Sequence, residues 1–137
     1  MKTFFMNIEY LKKAHNLGRD LIFDLDNTII NEKDYLLSAY YLIASEIDPS
    51  KQNEVYLYLK NEFELSGREF LYQKLKNKFN FSNFNLEDFK LLLHENRYCK
   101  KIETYMWFKD FVKSLNTSLE IYIITNGNIS QQKNKIR

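Results

Sequence analysis

The sequence predicts an α/β fold, a parallel sheet with a helical region inserted between its first two strands. Three observations predict it. A short apolar run, Leu21-Ile22-Phe23, leads into Asp24-Leu25-Asp26, and has the length and flanks of a buried parallel strand. A second run over residues 119–124, rich in β-branched residues, ends in Thr125-Asn126-Gly127-Asn128. Between the two, residues 31–105 read as helix after helix, broken by a polar-aromatic loop over residues 80–85.

Taken in order, Asn7 is placed to cap a short helix, Ile8–Asn16, with Ile8, Leu11 and Leu17 near one face. Gly18 ends it, and Gly18-Arg19-Asp20 turns the chain into the first strand. After that strand, residues 32–47 carry Tyr35, Leu36, Leu37, Tyr40, Leu42, Ile43 and Ile47. These cover more than one face, as in a helix buried inside a bundle. Asp48-Pro49 reads as an N-cap followed by proline at the first helical position. The helix it opens is expected to end near residue 65, with Val55, Leu59 and Phe63 four apart and Ser66-Gly67 as the stop. A third helix is expected over residues 68–79, through Phe70, Leu71, Leu75 and Phe79. Asn85 with Asp88 three residues later forms a capping signal for a fourth, running to about residue 96. Residues 104–115 read as a further helix ended by Asn116, whose aromatic start, Tyr105 to Phe108, should pack between helix and sheet.

Composition adds modest bounds. At 137 residues the chain is one domain, or one domain with an insert. Lys and Arg number 20 against 18 Asp and Glu, a net charge of +2 with no footprint for nucleic acid or an acidic membrane. Eleven Phe and ten Tyr supply a sizeable core. No apolar run approaches the ~20 residues of a membrane span. The single cysteine, Cys99, cannot close an internal disulfide, which fits a reducing, cytoplasmic setting. His15 and His94 are too few and too far apart for a metal cluster, and read as surface or half-buried side chains. Lys74, Lys76, Lys78, Lys100 and Lys101 read as solvated faces, with a role toward a phosphate substrate as the alternative.

The two strand ends carry the chemistry. Ionised carboxylates are seldom buried without a partner. Asp24 and Asp26 closing an apolar strand therefore point to a cation, a proton-transfer role or both, or else to a solvated acidic turn. Thr125 with the N–H groups of a Gly turn at a helix start is suited to an anion. Side by side, the two ends would hold a metal-bound phosphate. Together, Asp24-Leu25-Asp26-Asn27-Thr28 and Ile124-Thr125-Asn126-Gly127-Asn128, each after its strand, resemble the first two motifs of the haloacid dehalogenase superfamily of phosphohydrolases. Gln132 and Lys135-Ile136 resemble that family's pattern in the following helix.

The resemblance implies a Rossmann-like core, residues 1–30 and 106–137, and a helical cap, residues 31–105, that closes over the site and selects the substrate. It implies Asp24 as the nucleophile that becomes an aspartyl-phosphate, and Asp26 as the acid and then base. It implies Mg²⁺ on the Asp24 carboxylate and at Asp26, Thr125, Asn126 and Gly127 on the phosphoryl oxygens, and a small phosphorylated metabolite as substrate. Thr28 would stabilise the turn. Asp26 argues against dehalogenation itself, because that branch lacks the second aspartate. The family's third motif, a lysine, and its fourth, an acidic pair, lie beyond Arg137. The chain is thus expected to be an N-terminal portion with little or no turnover alone, or else a non-catalytic remnant that binds a partner. With two strands visible, the first is expected to keep an unpaired edge open to self-association, and the core to be labile.

Overall fold

The computed structural model describes residues 8–95, 102–115 and 120–136. Asn7, Cys99, Lys100, Lys101 and Asn116, the last residues expected of the fourth helix and the start of the second strand lie outside the described residues. The elements run α1 (Ile8–Asn16), β1 (Leu21–Asp24), α2 (Glu32–Ile47), a 3₁₀ turn (Pro49–Lys51), α3 (Gln52–Ser66), α4 (Leu71–Phe79), α5 (Leu86–His94), α6 (Met106–Lys113), β2 (Ile121–Ile124) and α7 (Ile129–Ile136). The chain packs as two compact units, Met1–Glu32 with Glu103–Asn126, and Lys33–Ile102 with Gly127–Arg137. No helix among the described residues is long and apolar enough to cross a membrane.

The first unit is built on β1 and β2, paired in parallel with Leu21 opposite Ile121 and Asp24 opposite Ile124. Side chains alternate across a strand, so Leu21 and Phe23 are buried while Ile22 and Asp24 are exposed. Phe23 meets the aromatic face of α6, its ring centroid 6.2 Å from Trp107, 5.4 Å from Phe108 and 5.9 Å from Phe111. The aromatic start of α6 is thus core packing between helix and sheet. On the opposite face Ile22, Tyr122 and Ile124 are exposed, and among the described residues β1 has β2 as its sheet neighbour.

Beyond β1 the chain leaves and re-enters this unit at one place. The Leu25 carbonyl accepts from the N–H groups of Ile29 at 3.0 Å and Ile30 at 3.2 Å, closing a tight loop. Ile30 bridges Thr104, and the Tyr105 N–H donates to the Ile29 carbonyl at 2.8 Å. The two ends of the intervening connection therefore meet within this unit.

The helical unit has its own core, formed by Leu36, Tyr40, Ile43, Ala44, Ile47, Val55, Leu59, Leu71, Leu75, Phe81, Phe84 and Phe89. The buried residues of α2 form one broad stripe from Tyr35 to Ile47, with Tyr41 turned to solvent. Asp48 caps the 3₁₀ turn by accepting from the N–H groups of Ser50 and Lys51. The Ser50 hydroxyl first, and then these N–H groups, hold the Asp48 carboxyl below its ordinary value. Asn85 and Asp88 complete a reciprocal capping box at α5. Helix α4 starts at Leu71, not at residue 68. Gly67 (φ 73°) and Phe70 (φ 55°) are both left-handed, and Phe70 is 76% exposed instead of on the apolar face. His15 is also placed differently from expectation. It is buried, with no hydrogen-bond partner for Nε2, because α1 packs on both β1 and α6.

A two-stranded sheet draws most of its stability from the helices packed on it. Phe23→Ala should remove the centre of the aromatic cluster at a cost of about 3–5 kcal/mol. In urea unfolding followed by near-UV and far-UV dichroism, the Trp107 signal should be lost first while most helicity persists. Amide exchange at Ile22 and Phe23 should be faster than at Val55 and Leu59. Equal protection at the two pairs would show that the sheet shares the stability of the helical core.

Candidate active site

The loop that follows β1 is shaped by its own sequence. Leu25, Ile29 and Ile30 are buried, each 2% exposed, so the loop is anchored at both ends of Asp26-Asn27-Thr28. Asn27 adopts φ 58°, a left-handed conformation that asparagine tolerates better than most residues. Its Oδ1 accepts from the Glu32 N–H at 3.3 Å, a donor at the start of α2 that the helix itself cannot satisfy. This role for Asn27 is one that the strand-end pattern alone did not reveal; the residue type at a tight turn is the signal that could have found it. Asp24 stands exposed at the last position of β1 and Asp26 is half-buried.

At β2 the register decides the geometry. The Cα of Asp24 pairs with that of Ile124, and Thr125 is the next residue along. Because the pairing is parallel, both chains leave the sheet at the same end. The carboxylates of the first strand end and the hydroxyl-bearing turn of the second are thereby neighbours across one ladder. Asp24, Asp26, Thr125 and Asn126 lie in the same compact unit. Gly127 belongs to the helical unit, directly after Asn126 in the chain. Among the described residues, no group of three or more His, Cys, Asp or Glu side chains comes together to hold a metal.

Gly127 has a structural reason to be glycine. Its φ is 128°, and a Cβ there would come 2.9 Å from Nε2 of Gln132. Asn128 then starts α7, its Oδ1 accepting from the Gln131 N–H at 3.1 Å and its carbonyl from the Gln132 N–H at 3.0 Å. Toward the opposite end of the sheet, Tyr122 donates to Glu120, and that hydrogen bond is the main cause of a phenol pKa above the ordinary value.

These features define a class: an α/β protein with two parallel strands, acidic residues at one strand end and a hydroxyl–glycine turn at the other, and a helical insertion between them. A family model described as haloacid dehalogenase-like hydrolase matches residues 21–137, so the chain belongs to the haloacid dehalogenase-like hydrolases. Neither the curated proteins nor the solved structures gave a match to this chain. The match begins at the first residue of β1 and takes in both strand ends.

Gly127→Ala should force a β-carbon against the Gln132 amide in a backbone conformation that alanine avoids. It should destabilise the protein by about 1 kcal/mol or more, read as a lower thermal midpoint. A midpoint equal to wild type would mean that the turn relaxes freely.

Proposed function

We propose that this protein is a Mg²⁺-dependent phosphatase acting on a small phosphorylated metabolite through an aspartyl-phosphate intermediate. The observation that carries this reading is the register of β1 with β2, which sets Asp24 and Thr125 at the same end of adjacent parallel strands. Family membership supports hydrolysis as the reaction class.

A phosphate ester resists attack because negative oxygens surround the phosphorus. Catalysis therefore needs a positioned nucleophile and groups that stabilise the transferring charge. Asp24, exposed at the end of a strand, is the proposed nucleophile. Its carboxylate oxygen bonds to phosphorus as the ester oxygen leaves with a proton from Asp26. Asp26 then takes a proton from the water that attacks the aspartyl-phosphate, which regenerates Asp24 and releases phosphate. Thr125 and the N–H groups of Asn126 and Gly127 are the proposed donors to the phosphoryl oxygens.

The donor set fits the metal in kind. Asp24 and Asp26 offer hard oxygen ligands, and Mg²⁺ commonly takes one or two carboxylates and completes its shell with water and substrate phosphate. When bound, the ion would offset the negative charge of the phosphoryl group. The helical insert is proposed to select the substrate, and the edge of β1 that has no strand beside it among the described residues to allow self-association. We place the protein in the cytoplasm on its single cysteine.

Release of inorganic phosphate from p-nitrophenyl phosphate and from a panel of phosphorylated metabolites, with and without Mg²⁺, tests the reading. Asp24→Asn should lower kcat on the order of 10³-fold or more, with unchanged far-UV dichroism. Asp24→Asn protein that hydrolyses at the wild-type rate would refute the nucleophile. Because little turnover is expected of this chain by itself, these assays use it joined to a segment that carries the family's lysine and acidic-pair motifs; phosphate binding without hydrolysis there would favour a non-catalytic binding protein.

A further inference from the structure

Helix α7 buries polar residues and exposes apolar ones. Ile129 and Ile136 are 72% and 55% exposed, whereas Gln132 and Lys135 are 7% and 5% exposed. A helix held by the hydrophobic effect would present the opposite face. Burying an ammonium is costly unless its surroundings replace water, so the counter-surface must favour a cation.

That surface is specific. The Lys135 ammonium lies 5.3 Å from the ring centroid of Tyr35, which is fully buried. The attraction between a cation and a ring face is strongest where water is excluded. The Tyr35 hydroxyl donates to the Leu93 carbonyl at 3.0 Å and to the His94 carbonyl at 3.4 Å. From α7, Gln131 Nε2 donates to the Leu93 carbonyl at 3.4 Å and Asn134 Nδ2 to the His94 carbonyl at 3.2 Å. Leu93 and His94 are the last two residues of α5. Their carbonyls have no acceptor role inside that helix and form the negative end of its dipole. Helix α7 thus caps α5 from outside through Gln131 and Asn134. At the start of α7, the Gln132 amide lies close to Gly127, where a Cβ would come 2.9 Å from Nε2 and force one of the two to shift.

We propose that Lys135 is a positioning residue. Seated over Tyr35, it fixes α7 on the C-terminus of α5. Through Gln132 it holds the Gly127 turn in the conformation in which the Gly127 N–H can meet a phosphate oxygen. This rests on the phosphate-binding role proposed above for Gly127.

The test uses the ¹⁵N-labelled full chain and two separate readouts. The first is amide exchange at Gln132, whose N–H donates to the Asn128 carbonyl, without any ligand. Lys135→Met should lower its protection about tenfold, while Lys135→Arg, which keeps the cation, should stay close to wild type. Protection at Val55 and Leu59 should be unchanged in both. Wild-type protection at Gln132 in Lys135→Met would overturn the proposal. Should Lys135→Met lose protection at Leu59 as well, Asn134→Ala decides instead. At its half-buried site it removes only the bond to His94, and it too should loosen Gln132 with Leu59 intact; no change at Gln132 would overturn the proposal. The second readout is the Gly127 amide resonance during titration with inorganic phosphate and Mg²⁺. Lys135→Met should weaken the apparent Kd about tenfold and Lys135→Arg should restore it; equal affinities in all three would overturn the positioning role. A Gly127 resonance that phosphate does not move in the wild type would refute the phosphate-binding reading, while the exchange readout would still decide whether Lys135 holds α7.

Discussion

The register of one pair of parallel strands governs the candidate site. Leu21 lies opposite Ile121 and Asp24 opposite Ile124, and both the core and the chemistry follow from that alignment. Side chains alternate with period two. A one-residue shift of β1 would carry Asp24 into the aromatic pocket of Trp107, Phe108 and Phe111 and turn Phe23 to solvent. Burial of Phe23 against α6 therefore sets the direction in which the aspartates point. Parallel pairing adds the second requirement, that both strands end on the same side. A carboxylate pair and a hydroxyl–amide turn from distant parts of the chain then face the same solvent.

The two ends of the connection that carries the helical unit are tied together within the sheet unit. Ile29 and Ile30 meet Thr104 and Tyr105 through a bridge and a 2.8 Å backbone hydrogen bond. Closing a long connection costs chain entropy that grows only slowly with its length. The helices recover that cost locally, through their own core around Tyr40, Ile43, Leu59 and Leu75. Local capping finishes their ends, by Asp48 at the 3₁₀ turn and by Asn85 with Asp88 at α5. Asp48, with its carboxyl held below the ordinary value, contributes fully at neutral pH; that contribution fades only as acid protonates it.

Helix α7 follows a different logic. Its buried face is chosen for charge and hydrogen bonding, not for apolar area, and its partners are a tyrosine ring and the carbonyl end of α5. Directional contacts of this kind specify one docking geometry more tightly than apolar burial, which tolerates sliding. Such a helix suits a place immediately after a turn whose backbone N–H groups are the proposed phosphate donors.

What the sequence by itself determined is what depends on neighbours within a turn or two. The bounds of α1 and α2, the caps at Asp48 and Asn85, and the positions of Asp24, Asp26, Thr125 and Asn126 after apolar runs all rest on short-range spacing and were legible there. The family could be recognised for the same reason, since its two motifs are local strings. Only the tertiary structure decided the rest. Phe70 looked like a core residue by spacing, yet a left-handed backbone after Gly67 turns it to solvent. His15 read as a surface or half-buried residue, yet it is buried in a helix, α1, that packs on β1 and α6. Lys135 and Gln132 could be read as part of a family pattern, but not as buried. Their burial depends on Tyr35, Leu93 and His94, which lie far back in the sequence, and no local period encodes a contact across that separation.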